Sequence, residues 1–469
     1  MRYLKTLLFV LFSVGLASAQ HHLNFKVNGL QPGDDLILAY YYADQNRIVD
    51  TAKVDGGGIA EFKGDENLLN GVYIVVLPKK TYIEFIVPND DQEFTIEFDT
   101  SLSPAKKSVE GSLDNQLFFD FEKFAVGPGK EKREKIKAFR ECETEDCKNK
   151  IRSQIKVLDD QVDNRRREII ENHPTTFTSK LFKAVLDIEI PEELKTDTTG
   201  LRYEFFRDHY WDNFDLTDDG MLRTPVFKSK LEYYFDKVIL QVPDTIIPAI
   251  DKLTSHIENG GAKELYHYVV WWCTNHHEES KVMCMDKVLH HMAKNYYCAG
   301  KCWWADSSLV AKMCEHTEKI GKSLCGLVAP NMTLVDTTFV RNYELHKLNS
   351  PVTVVVFWDH QCGHCKKEIP KLKEMYDTMH DKGVEVYAIY TQADWEGWKK
   401  YIRKNGLTWL NVMDAYNKAT YRKDYNIIST PQLYLLDKDK KIMYKNPPAE
   451  NVGQIVKIML EQYEKQKNP

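Results

Sequence analysis

Long apolar runs, basic stripes and internal repeats are the features that this sequence lacks. After the first twenty residues no stretch reaches the about 18 apolar residues that a transmembrane helix requires, so we do not expect an integral membrane protein. The chain has 63 Lys and Arg against 69 Asp and Glu, a formal net charge of −6, and no sustained basic segment. We therefore expect no nucleic-acid partner. No fixed period recurs, which argues against a helical repeat array.

The N-terminus has the pattern of an export signal. Arg2 and Lys5 precede an apolar stretch over residues 7–16, and the small residues Ala17-Ser18-Ala19 follow as a cleavage site. The apolar stretch is too short to span a membrane, and no cysteine follows the cleavage site, as a lipid anchor would require. We predict a signal peptide over residues 1–19, cleaved near Ala19, and a periplasmic mature protein with a formal charge near −8, because Arg2 and Lys5 are removed.

The length of 469 residues predicts roughly two to four domains. Over residues 20–105 apolar and polar residues alternate, as at Leu23, Phe25 and Val27, and glycine- or proline-rich turns separate the runs. This pattern predicts an antiparallel β-sandwich-like domain. Residues 106–325 have helical periodicity and dense charge, which predicts an α-helical region with solvated faces; a docking surface for a partner is the alternative.

The chain contains ten cysteines, a number that suits an exported protein in an oxidising compartment. Eight of them lie outside the closely spaced C-terminal pair, and this even number favours structural disulfides. We predict two local pairs, Cys142–Cys147 and Cys298–Cys302. A metal site is the alternative, because cysteines and histidines cluster in the helical region, but their spacing matches no named zinc pattern. The cluster comprises Cys273, His276, His277, Cys284, His290, His291, Cys298 and Cys302.

The remaining pair, Cys362-Gly363-His364-Cys365, follows a β-branched apolar run and precedes a segment of helical period. The first cysteine is therefore placed at a helix N-terminus, where backbone N–H groups and the helix dipole favour the thiolate. We interpret the pair as a redox-active dithiol. Half of a zinc site is the alternative, but no second cysteine or histidine pair follows at metal spacing in this part of the chain.

Beyond residue 325 strands alternate with helices and end in a hairpin, which predicts a three-layer α/β domain with a mixed sheet over residues 326–469. The predicted strands are Val352–Trp358, Val384–Thr391, Gln432–Leu436 and Ile442–Lys445, and the predicted helices are Cys362–His380, Trp395–Asn405 and Val452–Glu464.

Five segments of this domain resemble the TlpA/ResA-like thiol–disulfide oxidoreductases, which have the thioredoxin fold. They are Gly326–Leu334, Phe357-Trp358, Cys362–Cys365, Lys366–Pro370 and Thr430-Pro431. Together they cover about the last 145 residues, and the preceding β-rich and helical regions are similar in layout to long exported redoxins of diderm bacteria. The chain departs from the family pattern just before the first cysteine, where it has Gln361 instead of Trp, and after Trp358, where Asp359 replaces a small residue.

Physical chemistry and the resemblance together suggest a role for each site residue. Cys362 is the nucleophile, Cys365 the resolving thiol, His364 a stabiliser of the thiolate, and Glu368 a proton relay. The resemblance implies that Thr430, Pro431 and Trp358 bind substrate, with Thr430-Pro431 matching the cis-proline loop of the family. It implies no cofactor beyond the redox-active disulfide Cys362–Cys365.

These observations favour an exported enzyme that reduces protein disulfides through a mixed-disulfide intermediate, as part of redox homeostasis. Its partners would be protein disulfides and thiols and a membrane electron donor of the disulfide-reducing pathway. A disulfide oxidase or isomerase is the first alternative, because the Gly-His dipeptide resembles that of protein disulfide isomerase. An envelope interaction protein with a redox-switch dithiol is the second. A peroxiredoxin is disfavoured, since Phe357–His360 occupies the place of its proline–threonine loop.

Overall fold

A computed structural model describes residues 20–280 and 282–467, so the predicted signal peptide lies outside the described residues. The chain forms two compact units. One comprises the residues up to Ile239 together with Ser255–Tyr266, and the other comprises Leu240–Thr254 together with the chain from His267 onward. In the described part of the chain no helix has the length and apolar character needed to cross a bilayer.

The first unit begins with two four-stranded sheets, of order β4-β1-β7-β8 and β3-β2-β5-β6. Leu23, Phe25 and Val27 are buried, as their alternation predicts, and the ring of Phe25 packs edge-on against Phe85 of the opposite sheet at 5.2 Å. The predicted sandwich is therefore confirmed. Its strands are β1 (His21–Asn28), β2 (Asp35–Tyr42), β3 (Gln45–Lys53), β4 (Ile59–Gly64), β5 (Gly71–Val76), β6 (Tyr82–Val87), β7 (Glu93–Asp99) and β8 (Ser108–Glu110).

The sandwich differs from the prediction in one respect, because it is not fully antiparallel. Strands β1 and β7 pair in parallel, with His22 opposite Glu93. A parallel pair requires a long crossover. Here strands β2, β3, β5 and β6 of the second sheet lie in the intervening chain and supply it.

Helices follow the sandwich in the first unit, and α2 buries only Leu158 and Ile169, which agrees with a solvated, charge-rich face. The N-cap side chain of Thr144 accepts a hydrogen bond from the Cys147 N–H, and the predicted disulfide Cys142–Cys147 closes the turn between α1 and α2. These helices are α1 (Leu113–Glu141), α2 (Glu145–Asn172), α3 (Phe177–Ala184), α4 (Leu201–His209) and α5 (Phe227–Tyr233).

Four more helices precede the C-terminal domain: α6 (Pro243–Gly260), α7 (Lys263–Glu278), α8 (Asp286–Met292) and α9 (Ser307–Ile320). The predicted disulfide Cys298–Cys302 is wrong. Cys298 pairs with Cys314, which α9 brings to a Cα–Cα distance of 5.7 Å, whereas the Cys302 thiol is buried and free. Cys284 pairs with Cys325 across 41 residues, and Cys273 is a free, fully buried thiol.

The C-terminal domain is a thioredoxin fold built on a seven-stranded mixed sheet of order β10-β9-β13-β12-β11-β14-β15. Its strands are β9 (Thr333–Asp336), β10 (Asn342–Glu344), β11 (Val352–Trp358), β12 (Val384–Tyr390), β13 (Leu410–Met413), β14 (Gln432–Leu436) and β15 (Ile442–Lys445). Its helices are α10 (Gly363–Met379), α11 (Trp395–Asn405), α12 (Tyr421–Asp424) and α13 (Ala449–Lys467).

Strand β11 is central in this sheet, and all seven of its residues are buried. Val354 and Val356 face the core formed with α10, α11 and α13, while Val355 and Phe357 face a second core on the other side of the sheet. Burial on both faces explains why the strand is an unbroken apolar run rather than an alternating one. The run ends at Trp358, and three residues separate it from the dithiol, which places the two cysteines at the carboxyl edge of the sheet.

Candidate active site

The two cysteines of the dithiol occupy different environments at the start of α10. Cys362 is the N-cap residue and is partly exposed, whereas Cys365 lies in the first turn and is 1% exposed. A short turn, residues 359–361, connects β11 to this helix, and the Cys362 N–H donates to the Asp359 carbonyl oxygen at 3.2 Å. The outer sulfur can therefore meet a substrate, and the inner one can meet only Cys362 and its immediate neighbours.

Both sulfurs have polar contacts. The Cys362 thiol donates to the backbone oxygen of Thr430 at 3.2 Å, and the Asp359 N–H donates to the Cys365 sulfur at 3.5 Å. The Thr430–Pro431 peptide bond is cis. The structure thus brings the loop before β14 against the dithiol, at the position that the sequence interpretation assigned to Thr430 and Pro431.

The two environments shift the two thiols in opposite directions. Partial burial acts to raise the pKa of Cys362, but hydrogen bonds from the Cys365 N–H, the Thr430 side chain and other nearby groups outweigh it, so this pKa lies below its ordinary value. Burial raises the pKa of Cys365 to about 12, although the Asp359 N–H opposes this shift. The arrangement therefore provides one sulfur that ionises readily and one that is held protonated.

His364 and Glu368 lie on α10, but neither side chain contacts a sulfur in the described structure. His364 is exposed, and the residue acts on Cys362 through its backbone N–H. Burial, the largest influence, raises the pKa of Cys362, and the hydrogen bonds of Cys365 and Thr430 lower it. The His364 N–H lowers the same pKa by a smaller amount. Glu368 accepts from Lys371 at 3.1 Å and from the Ala449 N–H at 3.2 Å. Its predicted part as a proton relay remains a prediction.

Trp358 does not fulfil its predicted part in substrate binding. Its side chain is fully buried, and its ring packs edge-on against Tyr390 and at a tilt against Tyr401. As the last residue of β11, it points into the core, so it supports the turn above it and presents no surface to a substrate.

Sequence reasoning missed two residues of this region, His360 and Asp394. Asp394 is the N-cap of α11 and accepts hydrogen bonds from Gly397 and from the Gln361 side chain, and His360 lies 3.3 Å from the same carboxylate. A signal existed, because β12 pairs in parallel with β11 up to Trp358 opposite Tyr390, and the chain segments that follow two such strands emerge at one edge of the sheet.

Three of the residues weighed as metal ligands have other contacts in the described structure. Cys284 and Cys298 are disulfide-bonded, and the His277 imidazole is hydrogen-bonded to the Cys273 carbonyl. No group of three or more His, Cys, Asp or Glu residues within 20–280 and 282–467 is arranged to hold a metal ion.

The C-terminal domain is similar to known thiol-disulfide oxidoreductases. A family model described as thioredoxin-like matches residues 350–442, and two described as domains of unknown function (DUF5106 and DUF4369) match residues 147–323 and 22–118. The thiol-disulfide oxidoreductase ResA of Bacillus thuringiensis subsp. konkukian is 28% identical over 155 residues, which are 33% of this chain and 82% of that protein. The sporulation thiol-disulfide oxidoreductase A of Bacillus subtilis is 30% identical over 93 residues, 19% of this chain and 55% of that protein.

Among solved structures, a domain of a possible thiol-disulfide isomerase from Cytophaga hutchinsonii is 40% identical and corresponds to 30% of this chain and 95% of that structure, with a TM-score of 0.28. The site geometry and the thioredoxin-like match define the C-terminal domain as a thiol–disulfide oxidoreductase of the thioredoxin fold. The ResA relatives show that, more narrowly, this domain is similar to the TlpA/ResA-like thiol–disulfide oxidoreductases.

Proposed function

We propose that this protein is an exported reductase of protein disulfides that acts from the periplasm. The observation that carries the proposal is the asymmetry of the dithiol, in which an accessible sulfur with a lowered pKa lies beside a buried sulfur with a raised one. A stable thiolate on Cys362 starts the exchange, and Cys365, which is protonated, does not react until a substrate is bound. The signal-like N-terminus and the three disulfides outside the dithiol support an oxidising location.

The proposed reaction has two exchange steps. The Cys362 thiolate attacks one sulfur of a substrate disulfide, which forms a mixed disulfide and releases the other substrate sulfur as a thiolate. Cys365 then loses its proton and attacks the Cys362 sulfur, so the Cys362–Cys365 disulfide forms and the second substrate thiol leaves. Two electrons have passed from the dithiol to the substrate, and a membrane donor of the disulfide-reducing pathway would return them.

Turnover tests this proposal. The full mature chain is expected to catalyse the reduction of insulin by dithiothreitol, at substoichiometric concentration and with linear kinetics. The control is the same protein whose dithiol has been alkylated after reduction, and this protein should give only the background rate. A single stoichiometric burst without turnover would contradict the enzyme and favour the redox-switch alternative.

A substitution pair at His364 tests whether this position stabilises the Cys362 thiolate. Replacing His364 by Pro removes both the imidazole and a backbone N–H that acts on the Cys362 sulfur. A less stable thiolate makes the reduced form less favourable, so the reduction potential should fall by some tens of millivolts; for a two-electron couple about 30 mV corresponds to a factor of about ten. His364→Ala keeps the N–H, and its potential should fall less.

Equilibration of both variants and the wild type with glutathione buffers measures the potentials. A wild-type value near that of protein disulfide isomerase, about −180 mV, would favour the oxidase or isomerase alternative, and one near that of thioredoxin, about −270 mV, would favour the reductase. A potential for His364→Pro that is equal to or above the wild-type value would show that position 364 does not stabilise the thiolate.

A further inference from the structure

Three residues precede the nucleophile, Asp359-His360-Gln361, and two of their side chains meet a single carboxylate. The Gln361 amide donates to Asp394 Oδ2 at 3.2 Å, and His360 Nε2 lies 3.3 Å from the same oxygen. Asp394 is fixed in turn, because its other oxygen accepts from the Gly397 N–H at 3.0 Å at the start of α11. We call this set, His360, Gln361 and Asp394, the turn clamp.

The turn held by this clamp contacts the Cys362 backbone and the Cys365 sulfur. The Gln361 N–H donates to the Asp359 carboxylate at 2.8 Å, and the Cys362 N–H donates to the Asp359 carbonyl at 3.2 Å. The Asp359 N–H is left to donate to the Cys365 sulfur at 3.5 Å. Any movement of the turn therefore changes the donor that Cys365 receives.

The imidazole of His360 lies in a setting that packing alone does not explain. Its side chain is 12% exposed and its ring lies against Tyr390 of β12 and Tyr401 of α11, at 5.5 and 6.3 Å. Two carboxylates face it, Asp394 and, at 3.8 Å from Nδ1, Asp359. Nδ1 has no hydrogen-bond partner among the described residues, and a buried polar atom without a partner opposes stability, so such atoms tend to persist for a function.

We propose that His360 is a positioning residue for substrate release, which acts through the turn clamp by holding the Asp359 N–H against the Cys365 sulfur. The inference rests on the proposed function, since it concerns the step in which the Cys365 thiolate attacks Cys362 and the bond to the substrate breaks. An N–H aimed at Cys365 stabilises the thiolate as it forms. This help matters because burial otherwise keeps Cys365 protonated.

A glycine offers a way to open the clamp without altering its members. A methyl group on Gly397 would lie 2.6 Å from His360 Nε2 and closer still to the Asp394 carboxylate. Gly397→Ala therefore separates the imidazole from Asp394, while alanine favours the helix that contains it. The matched control is Gly453→Ala in α13, where the added methyl would meet only Met375, at an ordinary 3.8 Å.

A chromophoric disulfide, dithiobis(nitrobenzoate), separates the two steps in stopped flow. Attack by Cys362 releases one nitrothiobenzoate, and attack by Cys365 releases the second. In Gly397→Ala and His360→Ala we expect the second phase to slow about three- to tenfold, the size of one lost hydrogen bond, while the first phase changes less than about twofold. The pH profile of the second phase should move to higher pH, and His360→Gln, which retains a donor, should recover part of the rate.

The outcomes separate this inference from the proposed function. A wild-type protein that shows no second phase contradicts the role of Cys365, not that of His360. If the wild type shows both phases and the second phase of Gly397→Ala is as fast as that of Gly453→Ala, the proposed role of the turn clamp is wrong. Equal slowing of both phases also overturns it, because it would mean that the turn acts on Cys362 or on the fold as a whole.

Discussion

Replacing Cys365 by Ala is expected to convert the protein into a covalent trap for its substrates. The nucleophile and its hydrogen bonds remain, so Cys362 still attacks a substrate disulfide. The sulfur that would release the substrate is absent, and the mixed disulfide should change from a transient species to the main product. Non-reducing electrophoresis of envelope extracts, followed by mass spectrometry of the adducts, measures this and identifies the partner. Insulin turnover should fall at least about a thousandfold, because thiol exchange stops after one step.

Two matched variants make the trap interpretable. Cys362→Ala retains the buried thiol but should form no adduct, since Cys365 is 1% exposed and the pKa of its thiol is raised. The double variant should also be silent, although the structural disulfides and the buried Cys273 and Cys302 remain. Adducts on Cys362→Ala would reverse the assignment of the two sulfurs. An absence of adducts on Cys365→Ala in extracts that contain disulfide-bonded proteins would contradict the reductase.

The C-terminal fold could be predicted closely because its signals are local. An unbroken run that is buried on both faces, β11, lies beside a dithiol at a helix N-terminus, and strands β14 and β15 match their predicted bounds at every residue. The strands β9, β10 and β13 were not predicted. They are three or four residues long, too short for a period to be distinguished from chance.

The failures have one physical cause, since they depend on contacts between residues that are distant in sequence. Cys314 reaches Cys298 only because α9 folds back, and spacing alone made Cys302 the simpler partner. The parallel pairing of β1 and β7 requires the second sheet to be in place. The burial of Trp358 follows from its position as the last inward residue of a central strand, which its place next to the active site conceals.

Gln361 and Asp359 show how a departure from a family pattern can carry information. The sequence marks them only as unusual beside the nucleophile, where a Trp and a small residue are the family's choice. The structure shows that both are tied into hydrogen bonds, Gln361 to Asp394 and Asp359 to the turn itself. Gln361 therefore anchors the turn through a polar side chain, and this contact is the reason to look for a role in Asp394 and His360.

The largest chemical difference that we expect lies between the two thiols of the dithiol. With a pKa of about 12, Cys365 is a thiolate in about one molecule in 100,000 at pH 7. An unshifted cysteine, with a pKa of about 8.5, is a thiolate in about three per cent, and the lowered pKa of Cys362 also favours its thiolate. The ratio exceeds a thousandfold. The more basic thiolate is intrinsically the better nucleophile, with a Brønsted coefficient of about 0.4–0.5. A thiolate of pKa about 12 is therefore roughly 50 times more reactive than one of pKa about 8.5, which reduces the difference in rate between the two cysteines. Burial of the Cys365 sulfur restores part of the difference by limiting access.

We therefore expect iodoacetamide to alkylate Cys362 in the Cys365→Ala variant at least about a hundredfold faster at pH 7 than Cys365 in the Cys362→Ala variant. Both alkylation rates should rise with pH, but the two pH profiles should differ in shape. The Cys362 rate should rise with pH and level off once its lowered pKa is passed, whereas the Cys365 rate should still be rising at the highest pH that the fold tolerates. Rates measured by mass spectrometry across this range decide the matter, and two thiols of equal reactivity would remove the physical basis for calling one the nucleophile and the other the resolving thiol.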